Sequence, residues 1–183
     1  MTKIETQPSI EVNENIVERI KHILDVAQQY GLRDVVEEKL EIHSSEEVGG
    51  IAYTLDIPKI YFEQYPKFQM KLNEIAYASE DNLSITKLES YSYHGFHLEN
   101  PKVDFIRFDY EPFKEKYAPV HINAYKKKWG DHLVFPDDTN LDISKMSCPI
   151  ALQIFNRYAR DKDDFPTNQE TNQPYVEIIG NGR

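Results

Sequence analysis

The sequence predicts an α+β domain, a mainly antiparallel sheet with flanking helices. Three observations carry that expectation. Apolar residues recur every three or four positions near the N-terminus and again after Ser147. Between those stretches the pattern changes to alternation over several successive segments. The alternating segments follow one another through short connections, which suits antiparallel pairing. A chain of 183 residues, 40% of them hydrophobic, suffices for one domain with its own core. The single cysteine, Cys148, leaves no internal disulfide and no cysteine-based zinc site.

Residues 1–12 read as a flexible N-terminal tail, 13–160 as the single domain, and 161–183 as a polar linker with a short C-terminal segment. A helix is expected from Asn13, which can cap it, with Ile16, Ile20, Leu24 and Ala27 on one face and Gly31 closing it. Leu32–Glu38 reads as a second short helical turn. Lys39–His43 and Gly50–Ile57 read as strands. In the latter, Ile51, Tyr53, Leu55 and Ile57 alternate with Ala52, Thr54 and Asp56. Pro66 suits a first helical position, and Phe68, Leu72, Ile75 and either Ala76 or Ala78 then predict a helix ending near Ser79. Leu88–Leu98, Val103–Tyr110 and Val120–Tyr125 read as successive strands, with His132–Phe135 as a shorter fourth and residues 136–140 as a turn. Ser147 can cap a helix with Pro149 in its first turn and Ile150, Ala151, Ile154, Phe155 and Tyr158 on its buried face. Residues 161–174 show no apolar periodicity and are expected to be irregular, with Tyr175–Ile179 as a terminal strand.

The net charge of −10 disfavours general binding to a polyanion. Nine of those ten net charges fall within residues 1–100, whereas residues 101–150 are neutral and hold the densest basic cluster. No apolar run approaches the ~20 residues of a membrane span, and the N-terminus carries no apolar signal segment. A cytoplasmic location and no membrane partner are expected.

The strongest local signal is Asp104-Phe105-Ile106-Arg107-Phe108-Asp109-Tyr110-Glu111-Pro112, followed by Val120-His121-Ile122-Asn123-Ala124. In each strand, side chains two apart share a face. If Ile106, Phe108, Tyr110 and Ile122 turn to the core, then Arg107, Asp109, His121 and Asn123 gather on the other face. Cross-strand neighbours there have Cβ atoms about 5 Å apart. A carboxylate beside a histidine orients it as a base. Arginine recognises phosphate with a planar fork, and asparagine can donate to a developing oxyanion. The same grouping also suits an ordinary solvated sheet face.

Phe108-Asp109-Tyr110-Glu111-Pro112 and then His121-Ile122-Asn123 resemble a family of small bacterial proteins of unknown function. Their signature is a strand ending in Phe-Asp-Tyr-x-Pro followed by a strand reading His-x-His-Ile-Asn, and members are found near toxin–antitoxin and phage-defence genes. The resemblance covers about residues 88–160. His121 matches the second histidine and Asn123 the asparagine. Pro119 stands in the place of the first histidine, so any chemistry that needs it would be lost here or carried by another residue.

Lys126, Lys127, Lys128 and Trp129 follow directly, and read either as phosphate contacts beside a stacking ring or as a soluble hairpin tip turning at Gly130 and Asp131. Tyr93 shares a face with Tyr91, as an aromatic platform for substrate or as half-buried strand residues. His94 and His97 would approach each other only if the chain bent at Gly95, and no third metal ligand accompanies them. Cys148 reads as packing. No metal or cofactor is expected.

Two functions are therefore expected as alternatives. One is a small cytoplasmic effector of toxin or defence type acting on RNA or a nucleotide. In it His121 is the acid–base group, Asp109 orients it, and Arg107 and Asn123 hold the phosphate and developing charge. Lys126 to Trp129 and Tyr93 bind the substrate. The other is a non-catalytic module whose acidic N-terminal half docks on a basic protein.

Overall fold

A computed structural model describes residues 8–45, 49–114, 116, 118–129, 142–164 and 169–181. The architecture is a seven-stranded antiparallel sheet with flanking helices. The strands are β1 (Ile10–Val12), β2 (Leu40–Ser45), β3 (Gly50–Ile60), β4 (Phe68–Ser79), β5 (Thr86–His97), β6 (Phe105–Tyr110) and β7 (Val120–Ala124). The helices are α1 (Ile16–Gln29), α2 (Arg33–Glu38), α3 (Lys126–Trp129), α4 (Cys148–Arg160) and α5 (Gln169–Asn181). From β2 to β7 the strands lie side by side in chain order, and β1 joins β5. Among the described residues no helix is long and apolar enough to cross a membrane.

The first helix starts two residues later than expected. Ile10–Val12 is a strand, not a loose tail, and pairs Val12 with Thr86. Asn15, not Asn13, then caps α1 by accepting from the Val17 N–H at 2.8 Å. Gly31 closes it in the left-handed region, φ 69°.

The expected helix over Phe68–Ser79 is instead strand β4, hydrogen-bonded on both sides, to β3 and β5. Phe68, Met70, Leu72, Glu74, Ala76 and Ala78 alternate inward. A carboxylate at the fourth inward position, and Ile75 turned outward beside it, masked the period of two. Glu74 is fully buried (0% exposed) beneath Arg19 of α1, itself 3% exposed. Arg19 Nη2 and Nε donate to Glu74 Oε1 at 2.7 and 2.9 Å, and Tyr53 and Tyr93 also donate their hydroxyls to that carboxylate. Burial, and then the Glu74 charge, push both tyrosine hydroxyls well above their ordinary range, so they remain donors.

The C-terminal expectation is also corrected. Residues 162–164 form a 3-10 turn and Gln169–Asn181 is helical, including the expected strand Tyr175–Ile179. Tyr175 and Ile179, four apart, are buried, and the Arg157 guanidinium lies 5.3 Å from the Tyr175 ring centroid. The expected strand His132–Phe135 and the turn after it fall outside the described residues.

Helices α1, α2, α4 and α5 and one sheet face share a single apolar core. Phe155 of α4 sits 6.1 Å, centroid to centroid, from both Phe68 and Phe108. It comes so close to β5 that a Cβ on Gly95 would lie 2.7 Å from its ring. Gly95 therefore serves close packing, and β5 runs through it without bending. Cys148 is buried in this core, where burial and then the Glu74 charge push its thiol up.

Candidate functional site

The pleat sends alternate side chains of five strands to the opposite face of the sheet. Strand register lines them into two cross-strand rows. Asp56 pairs with Asn73, Asn73 with Ser92, Ser92 with Asp109, and Asp109 with His121. Beside that row, Lys71 pairs with His94, His94 with Arg107, and Arg107 with Asn123. Every member is polar. The four residues expected on β6 and β7 are brought together as the end of a larger array.

Asp109 is the hub. Its carboxylate accepts from Ser92 Oγ at 2.6 Å, Arg107 Nε at 2.7 Å and Asn123 Nδ2 at 2.7 Å. These charge-assisted bonds hold Asn123 and one edge of the Arg107 guanidinium in fixed positions. His121 Nε2 lies 3.6 Å from Asp109 Oδ2 and 4.0 Å from Glu111 Oε2. Its Nδ1 is 2.9 Å from the Ala118 carbonyl, which can only accept, so Nδ1 carries the hydrogen.

The alternative of an ordinary solvated sheet face does not hold for His121 and Asp109, which lie on the face away from the core yet are only 1% and 2% exposed. The β6–β7 connection closes tightly, with the Glu111 N–H donating to the Pro119 carbonyl at 3.0 Å. That closure brings Ala118 onto the His121 ring. Arg107 differs, with a side chain 38% exposed. Among the described residues its Nη atoms make no hydrogen bond, so the N–H donors of both Nη nitrogens remain available.

Arg107 stands between two depressions. One, about 410 Å³, is lined by Asp56, Lys71, Asn73, Ser92 and His94. The other, about 780 Å³, is lined by Lys102, Lys126, Lys127, Asn123, Tyr125 and Phe105. No protein-family model, curated protein or solved structure matches this chain. The site is therefore read from its own chemistry.

Lys126 and Lys127 are exposed at the rim of the larger depression, on the short helix α3 rather than a hairpin tip. The side chains of Lys128 and Trp129, and the turn at Gly130 and Asp131, lie outside the described residues. Tyr93 is not on this face. It is fully buried in the core, stacked on Tyr91 at 4.7 Å with its hydroxyl on Glu74, out of a substrate's reach. His97 packs on Phe68 and Tyr158 in the core, so it and His94 point to opposite faces. Burial, then the Arg107 and Lys71 charges, lower the His94 pKa to about 4. Its ring is thus neutral at pH 7, and its buried Nε2 has no partner among the described residues.

Lys71 and Asn73 are hidden in the sequence because a helix over Phe68–Ser79 scrambles face assignments, whereas Asp56 falls on the outward side of its expected strand but without these partners beside it. The one available signal was the alternation of Lys71 and Asn73 with Met70, Leu72 and Glu74.

Proposed function

We propose that the protein binds a phosphate-bearing ligand, a nucleotide or a stretch of RNA, on the open face of the sheet. The carrying observation is Arg107: Asp109 fixes its guanidinium at Nε, and the residue lines two adjoining depressions with its Nη nitrogens unbonded among the described residues. A fork held in this way loses little freedom on gripping a phosphate. The larger depression adds Lys102, Lys126 and Lys127, and among the described residues that line it none is acidic. The overall acidity is thus no obstacle, because the field at the site is set by local charge. Such a binder suits the small effector of toxin or defence type that the sequence resemblance implies. Acid–base catalysis by His121 finds less support, since the ring is 1% exposed and bonded at Nδ1. The proposal is therefore recognition, with the histidine as part of the scaffold.

The test is titration of the full chain with single-stranded RNA and with nucleotides at several salt concentrations. Arg107→Lys should weaken binding roughly 10-fold or more, as expected for a lost charge-assisted hydrogen bond. Lys126→Ala with Lys127→Ala should lower the log–log salt slope for RNA by about 1.4. Binding unchanged by both variants would overturn the proposal.

One observation favours a second reading, docking of a basic protein on the acidic N-terminal half. The edge strand β2 leaves Ile42 59% exposed, close in sequence to Asp34, Glu37 and Glu38 of α2. Ile42→Lys would abolish such docking and leave nucleotide binding intact.

A further inference from the structure

The smaller depression holds an unusual set of unused hydrogen-bonding groups. Among the described residues, the Asp56 carboxylate, the Lys71 ammonium and the Asn73 amide make no side-chain hydrogen bond or ion pair, and His94 Nε2 has no partner. Lys71 Nζ only lies over the Phe96 ring, 5.9 Å from its centroid. Asp56 and Asn73 are opposed across β3 and β4, and Lys71 is the next residue along β4 on the same face. A carboxylate and an ammonium therefore flank an amide, beside a neutral imidazole ring, with Arg107 at the border. The carboxylate can accept two parallel N–H bonds and the ammonium can donate to a carbonyl-type oxygen, while the His94 ring, packed on Phe96 and Phe105, forms part of the wall.

Resting on the nucleotide-binding reading above, we propose that this depression is a guanine-selective base site. Guanine carries adjacent N1–H and N2–H donors on one edge, which match the two oxygens of Asp56. Its O6 acceptor, at the end of that edge, meets Lys71. Adenine offers no such donor pair, uracil has a single ring N–H, and cytosine has only its amino group. The phosphate of a guanine seated here extends toward Arg107 and the lysines of the larger depression. The volume of about 410 Å³ admits one base. The same chemistry serves a free guanine nucleotide or a guanine within single-stranded RNA.

Calorimetric titration of the full chain at pH 7 tests this. The probes are GMP, AMP, UMP, CMP, inorganic pyrophosphate, and two seven-nucleotide RNAs that differ by one guanine. GMP should bind roughly 5- to 100-fold more tightly than AMP, the discrimination of one bidentate base contact. Asp56→Asn replaces one acceptor with a donor and should erase that preference for GMP over AMP. Asp56 is exposed, so the variant should melt like the parent. If the RNA pair separates while the mononucleotides bind weakly and GMP still leads, the guanine comes from RNA. If GMP binds as tightly as the RNA, it comes from the free nucleotide. Equal binding of GMP and AMP, or a preference that survives Asp56→Asn, overturns the base site and leaves phosphate recognition standing. No binding of any probe, pyrophosphate included, overturns both.

Discussion

Replacing Arg19 by methionine removes the cation that neutralises Glu74 in the core. The carboxylate is fully buried, and two of its four side-chain hydrogen bonds come from the guanidinium at 2.7 and 2.9 Å. Removing one partner of a buried ion pair costs about 3–5 kcal/mol, because the other charge stays desolvated and uncompensated. For a chain of this size each kcal/mol moves Tm by about 2–4 °C, so the midpoint should fall by about 6–20 °C. Thermal unfolding followed by near-ultraviolet circular dichroism measures it. An internal contrast sharpens the test. Arg33 lies 3.5 Å from Glu37 on the surface of α2, with both side chains open to solvent, so Arg33→Met should cost no more than about 0.5 kcal/mol. Adding Glu74→Met, Tyr53→Phe and Tyr93→Phe to Arg19→Met removes every stranded polar group and should recover most of the loss. An Arg19→Met protein that melts within 2 °C of the parent, a margin set roughly by the surface control, would refute the reasoning.

His121→Ala should destabilise by about 1–3 kcal/mol in urea unfolding, because the ring is buried and bonded to Ala118; a variant as stable as the parent would return His121 to the solvent face. Gly95→Ala should cost about 1–3 kcal/mol by overpacking, since its Cβ would lie 2.6 Å from Phe68 and 2.7 Å from Phe155; the companion change Phe155→Leu should relieve part of that. His94 should contribute a pH-dependent loss of stability. Its folded pKa is about 4 against 6.5 unfolded, so between those values the unfolded chain binds the extra proton. Stability then declines as pH falls from about 6.5 to about 4, by at most about 3 kcal/mol. His94→Phe should flatten that part of the profile, and an unchanged slope would count against it.

Much of the sheet was legible because most of its strands alternate without interruption. Tyr53, Leu55 and Ile57, then Ile106, Phe108 and Tyr110, turn inward as their spacing requires. Strand β4 was not legible, because the charge at Glu74 is acceptable in the core only when Arg19 arrives from another element. The mirror signal was present in α1, where Arg19 occupies the inward stripe between Ile16 and Ile23. Two charges of opposite sign, each at an inward position of its own element, could have been matched. Strand β1 is three residues long, and its pairing with β5 comes from far along the chain, beyond any local pattern. At the site, the quartet on β6 and β7 followed from alternation alone. The depth of His121 did not, because it depends on how the connection from Glu111 to Pro119 closes.

The order of the strands also bears on how the chain assembles. Each pairing from β2 to β7 joins consecutive strands and closes a short loop at little entropic cost. The N-terminal arm is different, for Arg19 meets Glu74 across 55 residues and Val12 meets Thr86 from farther still. Residues of the meander should therefore show high φ-values and Ile10, Val12 and Arg19 values near zero. A sheet that has zipped but not yet received its arm exposes a bare carboxylate at the middle of its greasiest surface. Glu74 then works as a checkpoint: the core can dry only after the right segment has delivered its counter-charge, and a chain docked in the wrong place keeps water at its centre.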